Sequence, residues 1–186
     1  MKYLFLIPLL TGFILNLASA FTTTYSEKWG TKTGTFITII LRDVLGIPVW
    51  AAGYVMAIDE SGELFYKTSI LVNAAGLFLI IAGSLIIIVA LLQLRIKAAA
   101  PTTKDTLIRS GIYSLVRHPI HIGTALEFIA LFIIWPSVNL AVAVISGLIW
   151  LVLQSSFEEN DLLRRIPDYK EYMKEVPGFF PKKFFK

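Results

Sequence analysis

The feature that most constrains this chain is the uncharged apolar run from Ser69 to Leu94. The run is longer than the roughly 20 residues with which a helix crosses a hydrocarbon core of about 30 Å. Inside lipid, a helix satisfies the hydrogen bonds of its own backbone, whereas an open strand does not. The run therefore predicts an integral membrane protein of the all-α class.

Four further apolar segments predict additional transmembrane helices: Tyr3–Ala20, Thr35–Ile58, Ile120–Trp135 and Val138–Leu153. The last two are joined only by Pro136 and Ser137, which predicts a tight helical hairpin. We expect a polytopic membrane helix bundle of about five transmembrane helices that ends in this hairpin. A cytoplasmic C-terminal tail follows, and Glu158–Ile166 is expected to extend the fifth helix until Pro167 ends it.

The composition supports the membrane prediction. Hydrophobic residues make up 56% of the chain and charged residues 16%, whereas a soluble domain carries about 25% charged residues. A chain of this length cannot hide such an excess in one core. The absence of Cys excludes disulfides and thiol chemistry, and two His residues make a multi-His metal site unexpected, so no metal is predicted. No nucleic-acid partner is predicted either.

The distribution of charge predicts the orientation in the membrane. The loop after the third segment carries five basic residues against one acidic residue, whereas Asp59–Lys67 carries three acidic residues against one Lys. The positive-inside rule places the basic loop and the tail in the cytoplasm and the N-terminus outside. Cleavage of a signal peptide after Ala18-Ser19-Ala20 is the alternative. Because cleavage would reverse the orientation of the basic loop, a retained first helix is favoured.

Polar residues concentrate in two stretches that flank the hairpin, Asp105–Gly123 and Phe157–Pro181. Because the hairpin leaves one membrane face and returns to it, both stretches meet at that face. Basic, acidic and aromatic groups at the mouth of a bundle indicate a small-molecule site. We therefore expect a single membrane domain over residues 1–186, with scaffold helices in residues 1–75 and the site in residues 76–186.

The ordered motifs of these stretches carry a resemblance to a known family. They are Gly111-Ile112-Tyr113, Arg117-His118-Pro119 with Gly123, Glu158-Glu159 after the hairpin, Tyr169 with Tyr172, and Val176-Pro177 with Pro181. Over about residues 76–183 the chain resembles the isoprenylcysteine carboxyl methyltransferase and phospholipid methyltransferase family. It departs from the family pattern at His121, where Tyr is usual, and at Gln154 and Gly178, near or at positions where Arg is frequent.

The resemblance implies an S-adenosylmethionine-dependent methyltransferase. Carboxylates can accept hydrogen bonds from the ammonium of this cofactor, Arg or His can hold its carboxylate, and aromatic faces can attract its sulfonium. Arg117, His118 and Glu127 are the implied catalytic candidates. The implied cofactor-binding residues are Tyr113, Arg117, His118, His121, Gly123, Glu158, Glu159 and Tyr172.

Charged residues within or beside the spans give further expectations. Glu127 lies inside the fourth segment, where a carboxylate is costly, and either lines a lipid-substrate cavity or is bonded within the bundle. Glu158 and Glu159 are adjacent and carry the same charge. We therefore expect one of them to face the ligand and the other to face a basic partner, for which Arg165 is a candidate. Arg42 and Asp43 are neighbours in sequence and are not expected to face each other on a helix.

The acceptor stays open between an isoprenylcysteine-like carboxylate, as in a prenylated substrate, and an amino lipid. An amine acceptor must lose a proton, which His118 or His121 could take. Two alternatives to a methyltransferase remain: an NADPH-dependent membrane reductase of sterol or isoprenoid double bonds, and a non-catalytic membrane protein of the same fold. The departures at His121, Gln154 and Gly178 keep the second alternative open, and the sequence does not predict the oligomeric state.

Overall fold

The apolar segments fold into helices that pack side by side. A computed structural model of the chain describes residues 3–60, 62–94 and 106–180. Among the residues that bear on the sequence predictions, Arg95, Lys97, Lys104, Asp105 and Pro181 lie outside these ranges. The helices are α1 (Leu6–Ser19), α2 (Thr22–Trp29), α3 (Thr31–Ile39), a π-helical turn (Ile40–Gly46), α4 (Ile47–Asp59), α5 (Ile70–Leu94), a 3₁₀ turn (Gly111–Ser114), α6 (Pro119–Ile134), α7 (Val138–Arg165) and α8 (Tyr169–Glu175).

The helical bundle predicted from the sequence is confirmed. By length and composition, Thr31–Asp59, Ile70–Leu94 and Val138–Arg165 can each cross a membrane. α1 and α2 meet at a bend of 60° and together form a fourth candidate span. The 16 residues of α6 extend for about 24 Å, which is shorter than a hydrocarbon core of about 30 Å. The count of five spans stays a prediction.

The hairpin turn and the end of its second helix fall where the sequence predicts them. α6 ends at Ile134, and α7 begins at Val138 after Ser137, whose hydroxyl accepts a hydrogen bond from the Leu140 amide. α7 then continues past the apolar segment to Arg165. It ends just before Pro167, whose ring cannot continue a helix. The motif glutamates are therefore carried on the same rigid helix as the apolar segment.

Glycines allow two pairs of helices to approach closely. Gly53 of α4 contacts the backbone of Leu9 in α1, and Gly83 of α5 contacts the carbonyl of Gly123 in α6. A Cβ at either position of the second pair would lie 2.6 Å from the partner carbonyl oxygen. Small residues at such crossings are the usual means of packing helices within a membrane. The resulting layers, α1 against α4 and α5 against α6, are joined by α7.

Aromatic rings fill the core between these layers. Phe13 stacks on Trp150 at 4.7 Å between ring centroids, and Tyr54 stacks on Phe128 at 4.6 Å. Trp50 contacts both pairs. Stacked and edge-on pairs of this kind add about 0.5–1.5 kcal/mol each beyond the burial of their area. The core therefore fixes α1, α4, α6 and α7 relative to one another.

The two ends of the bundle carry different segments. At one end, the loop after α4 covers the hairpin turn: the Phe65 amide donates to the Pro136 carbonyl at 2.7 Å, and the Asn139 side chain donates to the Glu60 carbonyl at 2.9 Å. At the opposite end lie α2, the 3₁₀ turn, α8 and the segment after it. The two polar stretches thus share the second end, as the hairpin predicts.

The π-helical turn corrects one expectation. The Arg42 guanidinium donates to both carboxylate oxygens of Asp43, at 2.9 Å and 3.0 Å. The prediction that these neighbours do not face each other is wrong. It applied the spacing of an α-helix to a turn in which backbone hydrogen bonds reach five residues instead of four. Asn16 of α1 donates to the carbonyl of Arg42 and packs beside the turn at Gly46.

Candidate functional site

A cavity of about 850 Å³ lies between the helices and reaches the end of the bundle that carries the polar stretches. This volume lies within the usual range for small-molecule sites, about 300–1,000 Å³. Its polar end is lined by Tyr113, Arg117, His118, His121, Glu158 and Tyr172. Its inner part is lined by residues of α1, the π-helical turn, α4 and α6, among them Asn16, Arg42, Asp43, Trp50 and Glu127.

The segment before α6 is held in place by the segment after α8. The backbone amides of Arg117 and His118 donate to the carbonyls of Pro177 and Gly178, at 2.9 Å and 3.1 Å. Pro119 then begins α6, at a position where a missing N–H costs nothing. The Arg-His-Pro motif is therefore an extended connection pinned at one edge of the cavity.

Most hydrogen-bond donors of the Arg117 guanidinium are bound by other groups of the protein. Its guanidinium donates to Glu159 Oε1 through Nε at 2.9 Å and lies 2.8 Å from the same oxygen through Nη2. Nη1 donates to the carbonyls of Met173 and Val176. Most of the five guanidinium donors are thus used to join α7, α8 and the tail, which makes Arg117 a positioning group in this arrangement.

The two glutamates face different groups. Glu159 accepts from Arg117 and lies 2.7 Å from His118 Nε2. Glu158 accepts from the Gln154 amide at 2.9 Å and lines the cavity. The expected division between a basic partner and a ligand-facing group is therefore present. The expected partner is wrong, because Arg165 lies about two turns further along α7 and pairs with Asp161 at 3.1 Å.

Asp161 is a buried carboxylate that the sequence reasoning missed. It accepts from the Thr23 amide at 2.9 Å and from Arg165, and so fixes the start of α2 against α7. It also lines the cavity. The signal was present in the sequence, because Asp161 follows Glu158 by three residues and Arg165 follows Asp161 by four, and residues at these spacings share a helix face.

Two tyrosines of the motifs meet at the polar end. The Tyr172 hydroxyl donates to the Tyr113 carbonyl at 2.6 Å. Burial raises the pKa of Tyr172 to about 12, and it also raises the pKa of Tyr113. Both phenols are therefore neutral at physiological pH. The turn before Tyr113 needs Gly111, whose φ of 60° is unfavourable for residues with a Cβ.

Two of the predicted cofactor residues, Glu159 and Gly123, are absent from the described lining of the cavity. Glu159 faces Arg117 and His118, whereas Gly123 packs against Gly83 at the crossing of α5 and α6. The observed contacts of Gly123 are those of helix packing. His121 and Thr124, which flank it on α6, do line the cavity.

Glu127 lies deeper along α6, is half-buried and lines the cavity. Its carboxylate accepts a hydrogen bond from the Ser84 hydroxyl of α5 at 2.7 Å. Within residues 3–60, 62–94 and 106–180, no Lys, Arg or His lies within ion-pairing distance of it. Glu127 is therefore bonded inside the bundle and also lines the cavity, and its contact with a lipid substrate stays a prediction.

Four buried polar atoms of cavity-lining residues have no hydrogen-bond partner in the described part of the chain. They are the indole nitrogens of Trp50 and Trp150, His121 Nδ1 and Gln154 Oε1. A buried polar group without a partner costs about 1–3 kcal/mol, so such groups are usually satisfied by protein, water or ligand. The position of His121 and Gln154 beside Glu158 fits a cavity that receives a polar molecule.

The sequence model of the phospholipid methyltransferase family matches residues 71–167, which is just over half of the chain. The chain belongs to the phospholipid methyltransferase family. It is an integral membrane protein, as its apolar helices and this family indicate. The family match spans α5, the Arg-His-Pro motif, the hairpin and both glutamates, and it ends before α8.

One curated relative is the cobalt-zinc-cadmium resistance protein CzcN of Cupriavidus metallidurans, which is 32% identical over 81 residues. The aligned part is 42% of this chain and 37% of the relative, so the chain spans little more than a third of that protein's length. No solved structure matches the chain. The relative therefore supports similarity over one segment only.

The Arg117–Glu159 pair predicts a large effect on stability. Its side chains are 12% and 16% exposed, and removing one partner of a buried pair costs about 3–5 kcal/mol. We expect Arg117→Ala to lower the free energy of unfolding by about 3 kcal/mol, measured by denaturant unfolding in detergent. Arg164→Ala is the matched control: its pair with Glu27 is 49% and 62% exposed and contributes less than about 1 kcal/mol. Equal losses in both variants would show that the Arg117 pair does not anchor the site.

Proposed function

We propose that the protein transfers a methyl group from S-adenosylmethionine to a lipophilic acceptor that enters the cavity from the membrane. One observation supports this most directly. A single cavity connects the family motifs at one end of the bundle with Glu127 on α6, a carboxylate that has no ion-pair partner among the described residues. The family match does not favour the alternative of an NADPH-dependent reductase.

The residues at the polar end fit the donor. Glu158 can accept from its ammonium group, while His121 Nδ1 and Gln154 Oε1 are buried polar atoms that have no partner among the described residues. Tyr113 and Tyr172 provide ring surface beside them. When bound, S-adenosylmethionine supplies an electrophilic methyl group on a sulfonium. The contribution of the protein is alignment and exclusion of water, which together account for much of the acceleration of such displacements.

The motif residues divide into two groups in this proposal. Glu158 and His121 contact the donor. Arg117 and Glu159 act through His118: the Glu159 carboxylate accepts from His118 Nε2, and Arg117 fixes Glu159. Among the three catalytic candidates, we therefore assign Arg117 a positioning role and keep His118 and Glu127 as groups that face reactants. Gly123 supports this end through its crossing with α5.

The acceptor that best fits the inner cavity is an amino-headgroup lipid. Arg42 is paired with Asp43, whereas Glu127 has only the neutral Ser84 hydroxyl as a described side-chain partner. An unpaired carboxylate attracts an ammonium and repels a carboxylate acceptor. His121 and Glu127 lie six residues apart and both face the cavity, so His121 is placed to accept the proton that an amine must lose before it attacks.

The orientation forms part of the proposal. The acidic loop that follows α4 covers one end of the bundle, and Arg109, Arg117, Arg164 and Arg165 lie at the other end with the site. The positive-inside rule then places the site and the C-terminus in the cytoplasm and the N-terminus outside. The donor would enter from the cytoplasm, where the polar end opens.

Turnover tests this function directly. Purified protein in detergent is incubated with S-adenosylmethionine that carries a radiolabelled methyl group and with a total lipid extract. We expect a labelled lipid whose label survives mild base, because an N-methyl group is stable. Base-labile label would indicate a methyl ester and contradict the amine assignment. Absence of any labelled lipid, while the protein remains folded, would contradict the function.

Glu127 is predicted to recognise the acceptor. Glu127→Gln keeps an oxygen for the Ser84 hydroxyl but removes the charge, so the variant should fold normally. We expect turnover to fall at least about tenfold, since a hydrogen bond to a charged group contributes about 1.5–3 kcal/mol. The control is Glu171→Gln, which changes an exposed pair with Lys174 on α8. Unchanged turnover in Glu127→Gln would remove Glu127 from the site.

A further inference from the structure

We propose that His118, His121 and Glu158 form a binding site for a divalent transition-metal ion such as Zn²⁺, and that the ion excludes the methyl donor. The metal site rests on the geometry of these three side chains. The exclusion of the donor also rests on the proposed function. Although the chain has only two His residues, both are at the same end of one helix.

The three side chains are close enough to share one ion. One ligand atom of each lies within 4.8 Å of the others. His118 Nδ1 is 4.0 Å from Glu158 Oε2, and His121 Nε2 is 3.9 Å from Glu158 Oε1. In a tetrahedral zinc site, with bonds of about 2.0–2.1 Å, ligand atoms lie about 3.4 Å apart. Side-chain rotations that move each ligand atom by up to about 0.7 Å would bring the separations, which reach 4.8 Å, to this value.

Rigid backbone supports each ligand. His118 immediately precedes α6, and its amide is bound by the Gly178 carbonyl. His121 lies one turn into α6, and Glu158 lies on the continuous helix α7. The two rings are 5.2 Å apart between centroids. Two of the three ligands therefore lie on packed helices, and the third lies on the residue that precedes α6 and is held by the segment after α8.

A carboxylate behind His118 completes an arrangement typical of metal ligands. Histidines that bind metals usually donate their second ring N–H to a carboxylate, which fixes the tautomer and orients the ring. Here, Glu159 Oε1 lies 2.7 Å from His118 Nε2 and is itself held by Arg117. Because the carboxylate accepts the proton on Nε2, the lone pair of Nδ1 is directed toward Glu158.

The donor set selects the kind of ion. Two imidazoles and one carboxylate suit Zn²⁺ and Co²⁺, whereas Mg²⁺ and Ca²⁺ prefer sites made of oxygen ligands. Three protein ligands leave a fourth position, which opens into the cavity that these residues line. An ion there would occupy Glu158 and His121, the groups assigned to the donor. Metal and donor would therefore exclude each other.

Titration of the donor-free protein tests the metal site. Isothermal titration calorimetry with ZnCl₂, and separately with MgCl₂, is carried out in detergent. We expect one equivalent of Zn²⁺ to bind at least tenfold more tightly than Mg²⁺. His121→Ala and Glu158→Gln should each weaken Zn²⁺ binding at least tenfold, and Glu171→Gln should not. Each variant is first checked for thermal unfolding like that of the wild type.

Two results would overturn the metal site. One is absence of Zn²⁺ binding to the folded wild type. The other is binding that either folded variant retains unchanged, which would mean that the ion lies elsewhere. The two substitutions are independent, because one lies on α6 and the other on α7. Failure of one variant to fold therefore leaves the other as the test.

Competition separates this proposal from the proposed function. Binding of labelled S-adenosylmethionine is measured with and without Zn²⁺, and its apparent Kd is expected to rise in proportion to the ion concentration. Unchanged donor binding at saturating Zn²⁺ would overturn the exclusion. Zinc binding without any donor binding would contradict the proposed function while leaving the metal site intact. Donor binding without zinc binding would contradict the metal site while leaving the proposed function intact.

Discussion

The ion pair between Arg117 and Glu159 is the interaction on which the rest of the site depends. Helix α7 leaves the apolar layer and carries Glu159 to the end of the bundle, where the carboxylate meets both Arg117 and His118. The same guanidinium binds carbonyls at the end of α8 and just after it. Three segments that are distant in sequence are thereby fixed around one partly buried charge, and Glu158 is left to face the cavity.

Ion pairing of this kind explains how a short apolar chain can enclose a polar cavity. Charges are costly in an apolar environment unless they are paired and hydrogen-bonded. The described pairs Arg117–Glu159, Arg42–Asp43 and Arg165–Asp161 meet that condition around the cavity wall. Among the described residues, Glu127 and Glu158 have only neutral donors at hydrogen-bonding distance. These two carboxylates are therefore the groups available to a cationic ligand.

Much of this arrangement could be predicted from the sequence. Apolar length predicted the helices, and Pro136-Ser137 predicted the hairpin that brings Tyr113, His118 and Glu158 to one end. Pairing within the site was less predictable, because Arg117 and Arg165 are equally plausible partners for a glutamate until the helix rotation is known. The π-helical turn and its Arg42–Asp43 pair could not be predicted, because the spacing rules used for the sequence are those of an α-helix. Residues 1–75, expected to be scaffold, also line the cavity through Asn16 and Trp50.

Equilibrium binding of S-adenosylmethionine to the purified protein is the sharpest test of the proposed donor site, because it requires no acceptor. We expect the wild type to bind one equivalent. Glu158→Gln should weaken binding at least about tenfold, which corresponds to one lost charge-assisted contact of about 1.5–3 kcal/mol. Glu171→Gln should bind like the wild type. Absence of binding to folded wild-type protein, or equal affinity in the folded Glu158→Gln variant, would contradict the account.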